Sequence, residues 1–212
     1  MVAREYSHRE ETIHSLLHGG GVLVFSVLSA LLISRAVMLG VVATLSSIFY
    51  SISIITTFLA SFLFHSSAHG SVAKARLEVL DHSAIYLMIL GTYLPITLIV
   101  FRDGIANALF LLASLFSLLG IAFSSADLRR FGGVGFALYI GAAGAVILSL
   151  IFHVKILSAA GKLLLLGGVI CYTGGVFFYK KRVIKYMHAI WHALVLVGSL
   201  LHFFAIFRIC FY

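Results

Sequence analysis

The sequence has little charge and very little acidic charge. Only 10% of its 212 residues are charged, and there are seven acidic residues against fifteen lysines and arginines. A soluble domain has about a quarter of its residues charged, so this chain has too little polar surface to be covered by water. With 62% apolar residues and a mean hydropathy of +1.13, the composition predicts an integral membrane protein.

Cysteine and proline are also scarce. The two cysteines, Cys171 and Cys210, are expected at different depths of the membrane, which argues against a disulfide, and no cysteine pair has zinc-site spacing. Metal binding must then rest on histidine and carboxylate side chains. The single proline, Pro95, predicts a helix kink, which either opens a cavity or is a packing bend without function.

Apolar stretches long enough to cross a bilayer, about 20 residues each, recur along the whole chain. They leave no room for a soluble domain, and the polar residues before the first stretch include Glu5, Glu10 and Glu11, which a cleaved leader would lack. We therefore predict an all-α membrane protein with one domain over residues 1–212, folded as a seven-helix transmembrane bundle. The predicted spans are residues 18–35, 38–65, 81–101, 105–124, 132–152, 160–179 and 187–208.

The distribution of lysine and arginine predicts the orientation. A cytoplasmic N-terminus puts ten of the fifteen on the inner side and five on the outer side, which favours a cytoplasmic N-terminus and an external C-terminus. The net charge of +8 is then mostly a topology signal and an attraction to anionic headgroups. No basic segment has the aromatic pattern of a single-strand binder, so nucleic acid is not an expected partner.

Three histidines have the placement that a metal site requires. His188 and His192 are four residues apart, so a helix presents both rings on one face. His65 lies near the same side of the membrane, at the end of the second predicted span. Three protein ligands with one open position are the arrangement that zinc uses in catalytic sites. The sequence therefore predicts a zinc ion (Zn2+) bound by His65, His188 and His192.

Two further side chains are expected beside that ion. Ser61 is four residues before His65, and Asp81 begins the third predicted span on the same side. Zinc lowers the pKa of its bound water from near 16 to about 7, so Asp81 is predicted as general base or outer-shell acceptor and Ser61 as hydrogen-bond donor. The alternative for each histidine taken singly is a structural residue that is hydrogen-bonded to a neighbour.

The remaining histidines are expected outside the site. His202 is ten residues beyond His192, about 15 Å along a helix, which is too far to share an ion. His82 points about 100° away from Asp81 on the same helix. Solvated roles are expected for His8, His69 and His153.

These residues lie in blocks that resemble the hemolysin III family, the bacterial branch of the progestin and adipoQ receptor superfamily. The blocks are Glu11-Thr12-Ile13-His14-Ser15-Leu16-Leu17-His18-Gly19, Ser61-Phe62-Leu63-Phe64-His65, Leu80-Asp81-His82-Ser83-Ala84-Ile85, Gly91-Thr92-Tyr93-Leu94-Pro95, His188-Ala189-Ile190-Trp191-His192 and Gly198-Ser199-Leu200-Leu201-His202-Phe203. The resemblance covers nearly the whole chain. One departure is His14, where the superfamily usually has asparagine.

The resemblance implies a seven-helix bundle with a cytoplasmic N-terminus in the bacterial inner membrane, and zinc on His65, His188 and His192. In the related adiponectin receptors the counterpart of Asp81 acts through zinc-bound water, and the alkaline ceramidases hydrolyse a lipid amide with a similar site. A ceramidase-like hydrolase acting on a ceramide-like or fatty-acyl membrane lipid is therefore expected, with a link to membrane-lipid homeostasis.

Two alternatives remain from the sequence. One is a non-catalytic receptor-like or sensing protein in which zinc ties helices together. The other is a pore-forming hemolysin, which seven strongly apolar spans without a long amphipathic segment disfavour. Imidazole also suits copper, iron and nickel, so the sequence leaves the identity of the metal open.

Overall fold

The structure, a computed structural model, describes residues 6–211, and within them all regular structure is helical. Arg4 and Glu5, which entered the charge and leader arguments, lie outside these residues. The helices are α1 (His8–Val37), α2 (Val41–Ser66), α3 (Val72–Pro95), α4 (Gly104–Phe152), α5 (Ala159–Lys180) and α6 (Met187–Phe211), with a π-helical turn at Ile96–Phe101.

Two helices begin earlier in the chain than the predicted spans, because their first turns are polar. The α1 helix begins at His8 because Ser7 caps it: the Ser7 hydroxyl accepts from the backbone N–H of Glu10, and the Glu10 carboxylate accepts from that of Ser7. This reciprocal pair is a capping box. The α3 helix begins at Val72 behind the cap Ser71. Both predicted spans, from residues 18 and 81, began later because hydropathy does not register polar helical turns.

Six helices in the described residues are long and apolar enough to cross a membrane. This number differs from the expected seven because the fourth and fifth predicted spans both lie within the 49 residues of α4. The α4 helix is interrupted at Asp127, whose backbone is extended (φ −164°, ψ 98°). Its carboxylate accepts hydrogen bonds from the N–H groups of Arg129 and Arg130, as a cap for the part that follows.

The two arms of α4, residues 104–126 and 128–152, fold back on each other. A Cβ atom at Gly141 would lie 3.0 Å from the ring of Phe116, although a straight helix would separate these residues by about 37 Å. The rings of Phe123 and Phe131 are likewise 5.0 Å apart. Tyr86 of α3 packs against both arms, since its hydroxyl donates to the carbonyl of Gly135 and its ring abuts Gly120.

Pro95 changes the helical hydrogen bonding where it was expected to bend the chain. The α3 helix ends at Pro95 and continues as the π-helical turn Ile96–Phe101. Arg102, with φ 51°, then ends the turn in the left-handed conformation. The change in helix type follows from the backbone donor that proline lacks.

The interior of the bundle is formed mainly by α1, α2, α3 and α6. The aromatic side chains of Phe25, Tyr50, Phe58 and Phe203 are almost completely buried there. The α1 helix packs against α2 on one side and α6 on the other, while α3 packs against α2. Many leucines, isoleucines and valines on the outside are exposed, as expected for a surface that faces lipid.

Candidate metal centre

The functional residues meet where the beginnings of α1 and α6 lie beside the end of α2. Five buried histidines form a histidine cluster at this point: His14 and His18 from α1, His65 from α2, and His188 and His192 from α6. The spacings of three and seven residues put Glu11, His14 and His18 on one face of α1. The predicted histidine trio is therefore brought together, with two additional rings from α1.

The rings of the histidine cluster are in direct contact. Ring centroids are 4.3 Å apart for His188 and His192, 4.9 Å for His65 and His192, and 5.7 Å for His65 and His188. The His14 ring is 4.6 Å from that of His65 and 5.0 Å from those of His188 and His192. His14 thus lies against all three predicted ligands.

Glu11 orients His65 from the side away from the cluster. The Nδ1 atom of His65 is 2.6 Å from Oε2 of Glu11, and Lys74 donates to Oε1 of the same carboxylate at 2.9 Å. His14 Nδ1 is 3.6 Å from this carboxylate. A histidine whose Nδ1–H is held by a carboxylate keeps its other nitrogen, here Nε2, as a free lone pair, which is the usual state of a metal ligand.

His192 has a comparable arrangement with a histidine partner. Its Nδ1 atom is 2.7 Å from Nε2 of His18, so one of the two nitrogens donates and the other accepts. The Nε2 atom of His192 is buried and has no hydrogen-bond partner. His18 therefore positions His192 as Glu11 positions His65.

Several imidazole nitrogens in the cluster are buried without a hydrogen-bond partner. They are both ring nitrogens of His14, Nδ1 of His18 and His188, and Nε2 of His65 and His192. Leaving one buried polar atom unsatisfied costs about 1–3 kcal/mol. A cation that accepts lone pairs from some of these nitrogens would remove part of that cost.

One set of nitrogens is close enough to share an ion. Ligand atoms of His14, His65 and His192 lie within 4.8 Å of one another. Two of these residues belong to the predicted trio, and His14 takes the place of His188 in this closest set. Imidazole donors suit zinc and several other transition metals, so the donor set fits a metal without specifying which one.

Asp81 and Ser61 lie together at the edge of the cluster. The Asp81 carboxyl on α3 lies close to the Ser61 hydroxyl on α2 and within electrostatic reach of His65. Ser61 is buried. The pairing follows from the packing of α2 against α3, which places a carboxyl and a hydroxyl beside the imidazoles.

Tyr6 covers the cluster from the side of the N-terminus. Its ring stacks on that of His188 at a centroid separation of 4.8 Å and meets His14 edge-on at 5.0 Å. Burial raises the pKa of its hydroxyl to about 12 despite the nearby positive charge of Arg182, so the phenol stays protonated. Tyr6 therefore closes the site with an aromatic ring and a neutral hydroxyl.

The other histidines divide between confirmed and wrong predictions. His202 lies away from the cluster, as expected, with Nε2 hydrogen-bonded to the carbonyl of Leu165. The expectation that His153 is solvated was wrong. Its ring is buried, its Nε2 is 2.7 Å from Oδ2 of Asp103, and it stacks on Phe101. Asp103 lies 50 residues earlier, at the start of α4, and no local pattern could have indicated this partner.

Sequence reasoning missed three contributors to the site. Tyr6 belongs to a polar segment with no periodic signal. Lys74 was counted only as a topology charge, although it lies against Glu11 and the carbonyl of Phe64. Glu11 was noted within its block without a role. Its spacing to His14 and His18 on one helical face was the signal that could have revealed it.

Comparison with known proteins identifies the family of this chain. The family model described as Haemolysin-III related matches residues 6–203. Hemolysin-3 of Bacillus cereus is 34% identical over 199 residues, which are 93% of this chain and 90% of that protein. The Hemolysin-3 homolog of Bacillus subtilis (strain 168) is 33% identical over 207 residues, 97% of this chain and 96% of that protein. Together with the apolar helices, these matches show that the chain belongs to the haemolysin III-related family of multi-pass integral membrane proteins.

Proposed function

We propose that this protein is a metal-dependent membrane hydrolase that cleaves an amide or ester bond of a lipid. The observation that carries the proposal is the convergence of unpartnered, buried imidazole nitrogens beside the Asp81 and Ser61 pair. A purely structural cluster of histidines would satisfy its nitrogens with hydrogen bonds.

His65, His188 and His192 are the proposed ligands, and His14 is close enough to substitute for His188. Zinc is the best candidate for the ion, because three imidazoles with an open position are its usual catalytic set. When bound, such an ion supplies a Lewis acid that activates water and polarises a carbonyl oxygen. Glu11 holds His65 in the required tautomer, and His18 holds the ring of His192 in place.

The chain's own residues would move the protons of the reaction. The Asp81 carboxylate accepts a proton from the attacking water and then delivers it to the departing nitrogen or oxygen of the lipid. The Ser61 hydroxyl donates a hydrogen bond to the oxygen that gains negative charge. One water is consumed, and the products are a fatty acid and an amine or alcohol.

We also propose that the two arms of α4 cross the membrane separately, giving seven crossings with a cytoplasmic N-terminus. The contact between Phe116 and Gly141 across the hairpin supports separate arms, and the excess of lysine and arginine on one side supports the orientation. The cluster then lies near the cytoplasmic face, and the substrate is a ceramide-like or fatty-acyl lipid of the inner leaflet.

Labelling with a membrane-impermeant maleimide tests the orientation in a cysteine-free background. Lys155→Cys should react from outside intact cells, and Lys185→Cys should react only after the cells are opened. Equal labelling of both positions from outside would refute seven crossings with this orientation.

A test of the reaction uses purified, metal-loaded protein with ceramide-like amide lipids and ester lipids. Fatty acid should be released, and release should stop with a chelator and in Asp81→Asn. Asp127→Asn, a carboxyl change at the interruption of α4, should keep the activity. No release from any of these lipids would overturn the hydrolase proposal.

A structural role for the metal is the second candidate, because the cluster joins α1, α2 and α6. In that case Asp81→Asn would keep its metal, its thermal stability and the cellular phenotype, whereas His65→Ala would lose all three. Loss of phenotype in a folded, metal-bearing Asp81→Asn protein would favour catalysis.

A further inference from the structure

A strongly basic segment connects α5 to α6. Residues 180–186, called the basic loop below, include four cations and two exposed apolar side chains, Val183 (60% exposed) and Ile184 (50%). The cations are Lys180, Lys181, Arg182 and Lys185. Cations that lie beside exposed apolar residues at the end of an apolar helix are suited to the boundary between lipid headgroups and acyl chains.

The cations of the basic loop have no carboxylate partner within residues 6–211. The ion pairs of these residues involve Glu11 and Asp103, and the Glu10 carboxylate meets the loop through the backbone N–H of Tyr186 and not through a cation. The side chain of Lys180 extends instead to Phe136 on the second arm of α4, near the exposed Arg129 and Arg130. Positive charge from two parts of the chain therefore accumulates here, with the Glu10 carboxylate at the edge of the loop.

Aromatic rings support these cations. The Lys181 ammonium lies 4.2 Å from the ring centre of Phe177, and Lys185 lies 5.2 Å from that of Tyr186. The Arg182 guanidinium lies 4.8 Å from the ring centre of Tyr179 and donates to its hydroxyl at 2.6 Å. Rings beneath the cations hold them in place while the remaining donors stay available to an anion.

The basic loop also lies at the mouth of the histidine cluster. Tyr179, which binds Arg182, has its ring 6.0 Å from that of His188, and the charge of Arg182 acts on the hydroxyl of Tyr6. An anion bound by Arg182 would therefore lie next to the residue that covers the cluster.

We propose that the basic loop binds the phosphate of an anionic phospholipid headgroup, with Lys181, Arg182 and Lys185 as its principal ligands. Arginine and lysine are the side chains that bind phosphate, the former through a two-pronged contact. The exposed Val183 and Ile184 identify the ligand as a lipid of the surrounding bilayer and not a soluble phosphate. This inference is independent of the hydrolase proposal, because it requires neither metal nor turnover.

Native mass spectrometry of the purified protein in mixed micelles tests the proposal. Phosphatidylglycerol should be retained in preference to phosphatidylcholine, and the triple variant Lys181→Gln, Arg182→Gln, Lys185→Gln should bind it at least tenfold more weakly. The expectation follows from a contribution of about fivefold in affinity for each cation near an anionic headgroup. Raised salt should weaken binding to the wild type more than to the variant.

The matched control is the triple variant Lys155→Gln, Lys162→Gln, Arg208→Gln. It removes three cations near the start of α5 and the end of α6, at the ends of these helices that lie away from the basic loop. It should retain phosphatidylglycerol as the wild type does. Equal retention by wild type and basic-loop variant would overturn the proposal, as would equal loss in the control. Displacement of the lipid by inorganic phosphate at constant ionic strength would show a free-phosphate site and overturn the lipid assignment.

Discussion

The Nδ1 atom of His65 lies 2.6 Å from Oε2 of Glu11, while Lys74 holds the other oxygen of that carboxylate at 2.9 Å. This relationship joins the first turn of α1 to the last turn of α2 and to α3. It also sets the tautomer of His65, because the proton on Nδ1 leaves Nε2 with its lone pair toward the cluster. Glu11, which the sequence indicated only as part of a block that resembles the family, is therefore a positioning residue for His65.

Glu11→Gln should weaken metal binding by about 10- to 100-fold, the usual effect of losing an outer carboxylate. The amide can still accept from His65 but gives up the charge that favours its tautomer, and it leaves Lys74 without a counter-ion. Competition of the purified protein against a metal buffer measures the change.

Glu78→Gln is the matched control for this change, since Glu78 lies on α3 outside the cluster and its backbone carbonyl contacts His82. Its metal affinity should equal that of the wild type. Unchanged affinity in Glu11→Gln would show that the Glu11 contact does not tune His65.

His14 and His188 should be partly redundant as the third metal ligand. His14 belongs to the closest set of nitrogens, and His188 has an unpartnered buried Nδ1 one helical turn from His192. His14→Ala and His188→Ala should each retain metal with lowered affinity, and the double variant should lose it. Elemental analysis of purified protein measures the bound metal.

His65→Ala and His192→Ala serve as references, because each should lose the metal alone. His202→Ala, a buried histidine on α6 outside the cluster, should keep it. Complete loss in either His14→Ala or His188→Ala would identify that residue as the indispensable third ligand and refute redundancy.

The sequence was sufficient for the parts of this protein that depend on local spacing. Apolar length placed a span in each of the six helices, although it placed two in α4 and missed the polar starts of α1 and α3. The separation of four residues identified His188 with His192. The sequence could not identify the role of His14, because this role depends on which face α1 turns toward α2 and α6. Packing of whole helices decides that rotation.

Two causes explain the wrong predictions: long-range pairing for His153, and local capping for the starts of α1 and α3. His153 was assigned to solvent because it follows an apolar span, yet Asp103 and Phe101 bury it. The polar starts of α1 and α3 were treated as loops, yet the caps Ser7 and Ser71 begin helices there. A capping side chain begins a helix in a polar segment, where hydropathy gives no signal.

Gly91→Ala should destabilise the contact that places Asp81 beside Ser61. A Cβ atom there would lie 2.5 Å from Cβ of Ser53 and 3.4 Å from the Cα of Tyr50 on α2. Because the Cβ atom of Ser53 is fixed to its backbone and cannot rotate away, the helices must move apart, at an expected cost of about 1–3 kcal/mol. Thermal unfolding in detergent measures the loss.

Gly20→Ala is the control, since no atom lies within 4 Å of the new methyl group. Alanine favours a helix over glycine by up to about 1 kcal/mol, so this variant should be as stable as the wild type or more so. Equal stability of Gly91→Ala and wild type would contradict the close approach of α2 and α3.

Asp103 should make stability depend on acid pH. The backbone N–H of Ala106 and the ring of His153 hold the pKa of this carboxyl below its ordinary value of 3.8. A lowered folded-state pKa stabilises the protein above the unfolded pKa, and the contribution is lost as the pH falls through the folded pKa. The unfolding midpoint of the wild type should therefore exceed that of Asp103→Asn at pH 5, and the gap should narrow as the pH falls below 3.8. Asp127→Asn is the control, because the Asp127 carboxylate accepts from backbone N–H groups of the arm that it caps. Its effect on the unfolding midpoint measures the loss of a helix cap without the loss of a histidine partner. A gap for Asp103→Asn that stays constant from pH 5 to pH 3 would show that the Asp103 charge does not stabilise the fold.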